Sequence, residues 1–366
     1  MNIRRNLSNI FGWKTKRKIV VIESDDWGSV RTKSKEAYQN MVEVGLELDR
    51  SNFTMYDALE SNSDLESLFQ VLRNHKDSTG RNPVFTPMCV VANPDFDRIK
   101  ESNFEAYYYE AFTETCKRYP EHDRVHDLWL QGIRERLFVP QLHGREHLNA
   151  KRWIDSLKAG NEGMHIAFEN DSFGATFYKG EVLPEHLAAF DPKVASDIPA
   201  LHQVTREAGQ LFEQICGYKP KHFIASNAPE PRELEATLKE IGVEYITRNK
   251  LQRYPLGNGK FKKQFNWLGK RNTLDQIYLT RNAGFEPSDP LAALGVDNCL
   301  EDINIAFKWG KPAVISTHRV NFIGGIDISN KERGLNMLDE LLFKITNKWP
   351  DVEFLTSEEL GDLIKK

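Results

Sequence analysis

Residues 18–28, Lys-Ile-Val-Val-Ile-Glu-Ser-Asp-Asp-Trp-Gly, run an apolar, β-branched segment directly into a pair of carboxylates. Residues 19–22 are apolar without alternation, which is the pattern of a strand covered on both faces, as in a parallel sheet flanked by helices. Asp25 and Asp26 follow where such a strand ends. Successive strand residues point to opposite faces, so these two carboxylates share one site only if the strand stops and the chain turns, which Trp27-Gly28 permits. Strand C-terminal ends are where α/β folds keep their active sites. Taken alone, an Asp pair placed here equally well caps the next helix and faces water.

The same alternation repeats down the chain. Residues 33–44 read as a helix, and Ser63 and Glu66 stand at capping-box spacing ahead of Leu68, Phe69, Val71 and Leu72, predicting a helix over 64–75. Residues 84–91 predict a second strand. From 95 to 136 the pattern is mostly helical and aromatic-rich, and Tyr107, Tyr108 and Tyr109 cannot all be buried on one helix face; part of this run is expected to line a groove that stacks sugar rings. Residues 137–142 predict a third strand, leading into His143-Gly144-Arg145-Glu146-His147 and a helix to Leu157. Residues 164–168 read as a fourth strand, followed by a polar insertion to Pro199. Beyond it come a helix over 201–216 closed by Gly217, a strand over 222–225, and a helix opened by Pro229 and Pro231 and ended at Gly242. Strands over 243–247, 277–280, 313–317 and 352–355 follow, with helices over 290–308, 333–349 and 357–365. Strand and helix in turn predict a mostly parallel sheet, open or closed into a barrel, and no internal repeat or low-complexity linker marks a domain boundary.

His143 and His147 stand at i and i+4 after a strand, so on the first turn of a helix both rings project from one face. Two imidazoles so placed can grip one metal ion. A carboxylate from Asp25-Asp26 completes a two-histidine, one-aspartate set that leaves positions open for water and substrate, as a catalytic zinc or iron site requires. The chain holds a second pair of the same spacing, His122 and His126, among Glu121, Asp123, Arg124 and Asp127; it reads as the solvated charged face of a helix. Late in the chain the apolar run 313–317 delivers a single histidine, His318, at its end. Three strand ends thus offer Asp-Asp, His-x-x-x-His and His. Other chemistries lack their motifs: there is no G-x-S-x-G, no G-x-x-x-x-G-K-[ST] and no H-E-x-x-H, and Gly257-Asn258-Gly259 lacks the third glycine and preceding strand of a dinucleotide site.

Composition narrows the setting. A net charge of -4 with 28% charged residues argues against a nucleic-acid partner. Cys89, Cys116, Cys216 and Cys299 form no C-x-x-C, so neither a disulfide framework nor a zinc ribbon is indicated, and a reducing compartment fits. The basic N-terminal residues have no apolar core of a secretory signal, and no segment approaches a membrane span; a cytoplasmic protein is expected. Ile3, Leu7, Ile10 and Phe11 share a helical face beside Arg4, Arg5, Lys14 and Lys16, which could touch an anionic membrane surface, although an arm over 1–17 packed on the domain is the expected arrangement.

Ser24-Asp25-Asp26-Trp27, His143 to His147 and Ser316-Thr317-His318 together resemble the motifs of the NodB-like polysaccharide deacetylases of carbohydrate esterase family 4. The C-terminal run 352–360 is similar to that family's closing strand and helix. The resemblance implies a distorted (β/α)7-type barrel over 18–366, with helical and loop insertions near 95–135 and 160–200. It implies that Asp26, His143 and His147 hold one divalent metal, zinc by expectation, that Asp25 is the general base and that His318 is the general acid. It implies a saccharide substrate from which an acetyl group is removed. Two departures stand out: no Gly follows Asp26 directly, and the family's Arg-x-Pro segment is represented only by residues 222–229, without its arginine. Either Arg145 or Arg319 is expected to substitute, or the activity differs. The competing readings are a glycoside hydrolase pairing Asp25 or Asp26 with a carboxylate such as Glu146, and a carbohydrate-binding relative that has lost catalysis.

Overall fold

The structure, a computed structural model, describes residues 3–289 and 294–366. In chain order the strands used below are β1 (Lys18–Trp27), β2 (Phe85–Val90), β3 (Gln141–Gly144), β4 (His222–Phe223), β5 (Tyr245–Thr247), the hairpin β6 (Leu251–Gly257) and β7 (Lys260–Phe265), then β8 (Ile277–Leu279), β9 (Ala283–Gly284), β10 (Ala313–His318) and β11 (Val352–Phe354). All but the hairpin form one sheet, in the order β8-β5-β4-β3-β2-β1-β10-β9, with β11 beside the first half of β1. Every pairing in it is parallel.

The two edge strands, β8 and β9, are consecutive in the chain and are joined only by residues 280–282. Fully extended, that link spans about 14 Å, whereas the edges of a flat sheet of this width would stand roughly 34 Å apart at ~4.8 Å per strand. The sheet therefore curls back on itself into a distorted (β/α) barrel, the expected class. Ile19 and Val21 pack with Tyr245, Leu279 and Val314 in a cluster that joins both ends of the strand order, which only the inside of the curl allows. Val20 and Ile22 face the helices, against Leu68, Phe69 and Phe85. Both faces of β1 are thus covered, as its unbroken apolar run requires, and each of these side chains contributes about 1.5–3 kcal/mol by leaving water.

Several expectations are corrected. Residues 164–168 are not a strand but lie within the helix Glu162–Glu169, which Asn161 caps by accepting from the Met164 N–H, with Met164, Ala167 and Phe168 buried at helical spacing. A five-residue apolar run does not distinguish the two by period; the cap does. The helix expected over 64–75 is Asn62–Arg73, and its capping box uses Ser61 and Asp64 rather than Ser63 and Glu66. His122 precedes its helix, Val125–Arg134, rather than lying within it. Tyr107 and Tyr108 pack on the core, and Tyr109 opens a short strand, Tyr109–Ala111. These rings are covered by Arg98 and Arg145 rather than free for a sugar. The helix expected over 290–308 is seen as Val296–Lys308, its first residues lying outside the described ones. Gly257-Asn258-Gly259 is the turn of the β6–β7 hairpin, which the strand–helix reading missed.

Ahead of β1, Trp13 N donates to Leu268 O (2.8 Å), and Lys311 Nζ donates to the carbonyls of Phe11, Gly12 and Trp13. All four cysteines are buried thiols. Among the described residues no helix is long and apolar enough to cross a membrane.

Candidate active site

The alternation that places Ile19 and Val21 inside the barrel continues to Glu23 and Asp25, so two carboxylates rise one above the other toward the C-terminal mouth. A single guanidinium holds both. Arg281 donates from Nη1 and Nη2 to the two oxygens of Asp25 (2.7 and 2.6 Å) and from Nε to Glu23 (2.6 Å). Burial alone would raise the Asp25 pKa, but the charge and hydrogen bonds of Arg281 outweigh it and hold the carboxyl below its ordinary range.

Asp26 would point away from the interior if β1 stayed regular. The strand does not stop at Asp25, as first expected; it runs on to Trp27 through an irregularity in its register between Ser24 and Trp27, with Asp26 at φ 77°. That left-handed residue, tolerable for Asp at about 1–2 kcal/mol, swings the second carboxylate onto the side of the first. Gly28 follows at φ 86°, where an added Cβ would stand 2.4 Å from Val90 O, and its N–H donates to Glu60.

His143 closes β3 and His147 follows in the turn, so the pair is not on a helix, in contrast to the expectation; Gly144 at φ 148° makes the bend that brings the rings together. The Nε2 atoms of His143 and His147 lie 3.4 and 3.2 Å from Asp26 Oδ1. His143 Nδ1 donates to Ile224 O (2.9 Å), turning its Nε2 lone pair inward. Asp26 Oδ2 accepts from Arg31 Nη2 (3.1 Å), which also reaches His147 Nε2 (3.0 Å). Burial and the Arg31 charge lower His147 to about 4, so at neutral pH it is the uncharged ring that metals bind. Asp26 is driven well below its ordinary value: burial opposes this, and Arg31 with the two histidines outweighs it.

These residues fit a divalent metal. The donor atoms of Asp26, His143 and His147, all buried, lie within 4.8 Å of one another. The contacts of 3.2 and 3.4 Å from Asp26 to the two rings match the edge of a tetrahedron with metal–ligand bonds of about 2.0–2.2 Å. The hydrogen bond from Arg31 to His147 uses the lone pair a metal would take, so the two exclude one another; Asp57, 3.3 Å from Arg31 Nε, is a second anchor for that guanidinium.

His318, at the end of β10, is paired in register with Asp25. Its Nδ1 bonds Glu286 (2.6 Å), Phe53 packs edge-on at 4.7 Å between ring centroids, and Nε2 lies 3.7 Å from Asp25 Oδ2. Burial disfavours the charged ring, but the Glu286 charge and hydrogen bond, with Asp25 and Asp26 beyond, outweigh it and raise the pKa to about 9. Asn321 donates to the other oxygen of Glu286 (2.6 Å) and fixes it. Asp25, Asp26, His143, His147 and His318 all line one cavity of about 450 Å³.

The sequence-predicted residues thus come together, and the decoys do not. His122 contacts the carbonyls of Pro120 and Leu59, while His126 Nε2 donates to Ile215 O. Glu146 is spent on Arg145, which also pairs with Glu207, so Glu146 is no partner for the aspartates across this cavity. Neither arginine proposed to steady Asp25 does so: Arg319 is buried against Asp57 and Glu60, and Arg281 takes the place. Arg281 follows β8 as His318 ends β10, a strand-end position that marks it as a candidate but does not show that it faces Asp25. Arg31, Phe53 and Glu286 carried no comparable signal.

No family model matches this chain, and no curated protein matches it. Solved structures similar to it include a probable polysaccharide deacetylase from Pseudomonas aeruginosa (9% identity, 95% of this chain and 91% of that one, TM-score 0.45). A peptidoglycan deacetylase from Bacillus subtilis is similar at 9% identity over 95% of this chain and 92% of that one, with a TM-score of 0.39. A 4-alpha-glucanotransferase from Thermococcus litoralis is similar at 13% identity over 94% of this chain and 40% of that one, with a TM-score of 0.42.

Proposed function

We propose that this protein is a metal-dependent hydrolase that removes an acetyl group from an N- or O-acetylated saccharide. One observation carries the reading: a carboxylate clamped by Arg281 and a histidine clamped by Glu286 face the same cavity as the Asp26, His143 and His147 donor set. Asp26, His143 and His147 would hold the metal. We take the metal to be zinc, which a two-nitrogen, one-oxygen donor set with an open position suits. When bound, the metal supplies Lewis-acid polarisation of the acyl oxygen and a more acidic water.

The chain's own residues supply the proton traffic. Asp25, kept ionised by Arg281, takes the proton of the attacking water as the new C–O bond forms. His318 carries a proton on Nε2, because Glu286 occupies Nδ1, and gives it to the departing nitrogen or oxygen as the acyl bond breaks. A carboxylate lowered by its arginine and an imidazole raised to about 9 are in the required states together across neutral pH. The observation that suggested a non-catalytic relative was the missing arginine, and Arg281 meets it.

Acetate release tests the reading. Zinc-loaded protein incubated with N-acetylated and O-acetylated oligosaccharides should liberate acetate and no new reducing ends. New reducing ends without acetate, or no product from any acetylated saccharide, would overturn it.

A further inference from the structure

The charge of this molecule is segregated. No Asp or Glu precedes Glu23, while Arg5, Lys14, Lys16, Arg17 and Lys18 do; and no Asp or Glu lies within 245–274, which holds Arg248, Lys250, Arg253, Lys260, Lys262, Lys263, Lys270 and Arg271. The net charge of the whole chain is -4, so this is arrangement rather than composition. The fold brings the two stretches together. The Phe11 ring meets Phe265 edge-on at 5.8 Å, Phe265 lies 6.0 Å from Trp267, and Trp13 is tied to Leu268.

The outer face of the β6–β7 hairpin is unusual in its pairing. Its cross-strand pairs are Leu251 with Phe265 and Arg253 with Lys263, so the exposed apolar pair adjoins two like charges held directly opposite, an arrangement that costs stability. Arg253 and Lys263 on this face, Lys262 on the other side of the hairpin opposite Tyr254, and Lys260, Lys14 and Lys16 near them form no ion pair among the described residues. Lone lysines such as Lys76 and Lys348 elsewhere form none either, so what sets this group apart is that its cations cluster in two stretches without a carboxylate. Beside these cations Phe11 is 60% exposed, Leu251 58%, Phe265 49% and Trp267 37%.

We propose that the hairpin face, extended by Phe11 and the lysines of the N-terminal stretch, docks this protein on an anionic membrane surface. Interfacial binding takes aromatic and aliphatic side chains that enter the headgroup region among cations that hold lipid phosphates. A nucleic acid would match the charge but would leave Leu251 unburied. The face adjoins the cleft: a cavity of about 290 Å³ runs between Leu251, Arg253 and Phe261 and the residues Asn227, Ala228 and Asn249, and these last three also wall the cavity lined by Asp25 and His318. Docking would therefore set the cleft beside the headgroups. The inference does not depend on the deacetylase reading.

The test is co-sedimentation of the full chain with vesicles of phosphatidylcholine containing phosphatidylglycerol, and with vesicles of phosphatidylcholine alone. The protein should bind the anionic vesicles and not the neutral ones, and added salt should weaken binding. The triple variant Lys260→Glu/Lys262→Glu/Lys263→Glu should reduce partitioning by at least roughly tenfold, since each surface lysine contributes about fivefold. Phe11→Ser/Phe265→Ser should also weaken it. The same charge change at Lys76, Lys117 and Lys348 should matter far less. The melting midpoint of the triple variant should not fall, because Lys263→Glu relieves the repulsion with Arg253, so lost binding would not reflect lost fold. Absence of binding to anionic vesicles at low salt would overturn the proposal. So would equal binding by the triple variant, or tighter binding to a single-stranded oligonucleotide than to anionic vesicles at matched phosphate.

Discussion

Two histidine pairs in this chain have the same spacing, and only one builds a site. His143 leaves the end of β3 and His147 the turn after it, and Gly144 bends the backbone so that both Nε2 atoms converge on Asp26. His122 and His126 straddle the start of a helix at the periphery, and their rings go to backbone carbonyls on different segments. Spacing thus makes convergence possible, and the strand end, with a carboxylate delivered from the neighbouring strand, turns it into a donor set.

The hardest test of this contrast exchanges one histidine of each pair for alanine in turn. His143→Ala should abolish stoichiometric zinc binding by elemental analysis and take acetate release to background, while His122→Ala should keep both; equal metal retention by the two variants would erase the distinction. His318→Ala separates metal holding from proton delivery at the same mouth. It should keep its metal and its fold and lose about 10² to 10⁴ in rate, the usual range for a general acid, with loss of metal alongside activity counting against the assignment.

Arg281→Met should cost about 3–5 kcal/mol in denaturant unfolding, because two buried carboxylates lose their shared partner. In that variant burial acts on Asp25 against only the His143 and His318 charges, so its pKa rises and the acidic limb of the kcat/KM profile should move to higher pH. The mildest change is Glu286→Gln. The protonated ring is lost as pH rises through its pKa, and removing the neighbouring carboxylate lowers that pKa from about 9 toward the ordinary 6.5. The basic limb should therefore move down in pH while the rate on the acidic side stays close to wild type; an unmoved basic limb would take His318 out of the titrating role.

Sequence reasoning reached Asp25, Asp26, His143, His147 and His318 because each lies at or just past the end of a short apolar run of the length of a buried strand. It failed where the deciding contact is remote. Asp25 and its arginine are 256 residues apart, His318 and Glu286 meet across two chain segments, and Arg31 shows no local pattern that distinguishes it from a surface arginine. It also failed at 164–168, where a short apolar run carries no period and the Asn161 cap decided for a helix.

What the chain determines locally is the unbroken apolar run of 19–22, the polar residues that end each strand, and the glycines at 28 and 144 whose backbone angles few other residues adopt. These follow from steric and hydrophobic periodicity over a few neighbouring residues. Only the tertiary structure decided which arginine faces Asp25, which acid holds His318 and that the two acid-free basic stretches form one face. All three depend on the curl of the sheet: the short link between β8 and β9 closes the barrel, and that closure carries Arg281 from one sheet edge to the other, above Glu23 and Asp25.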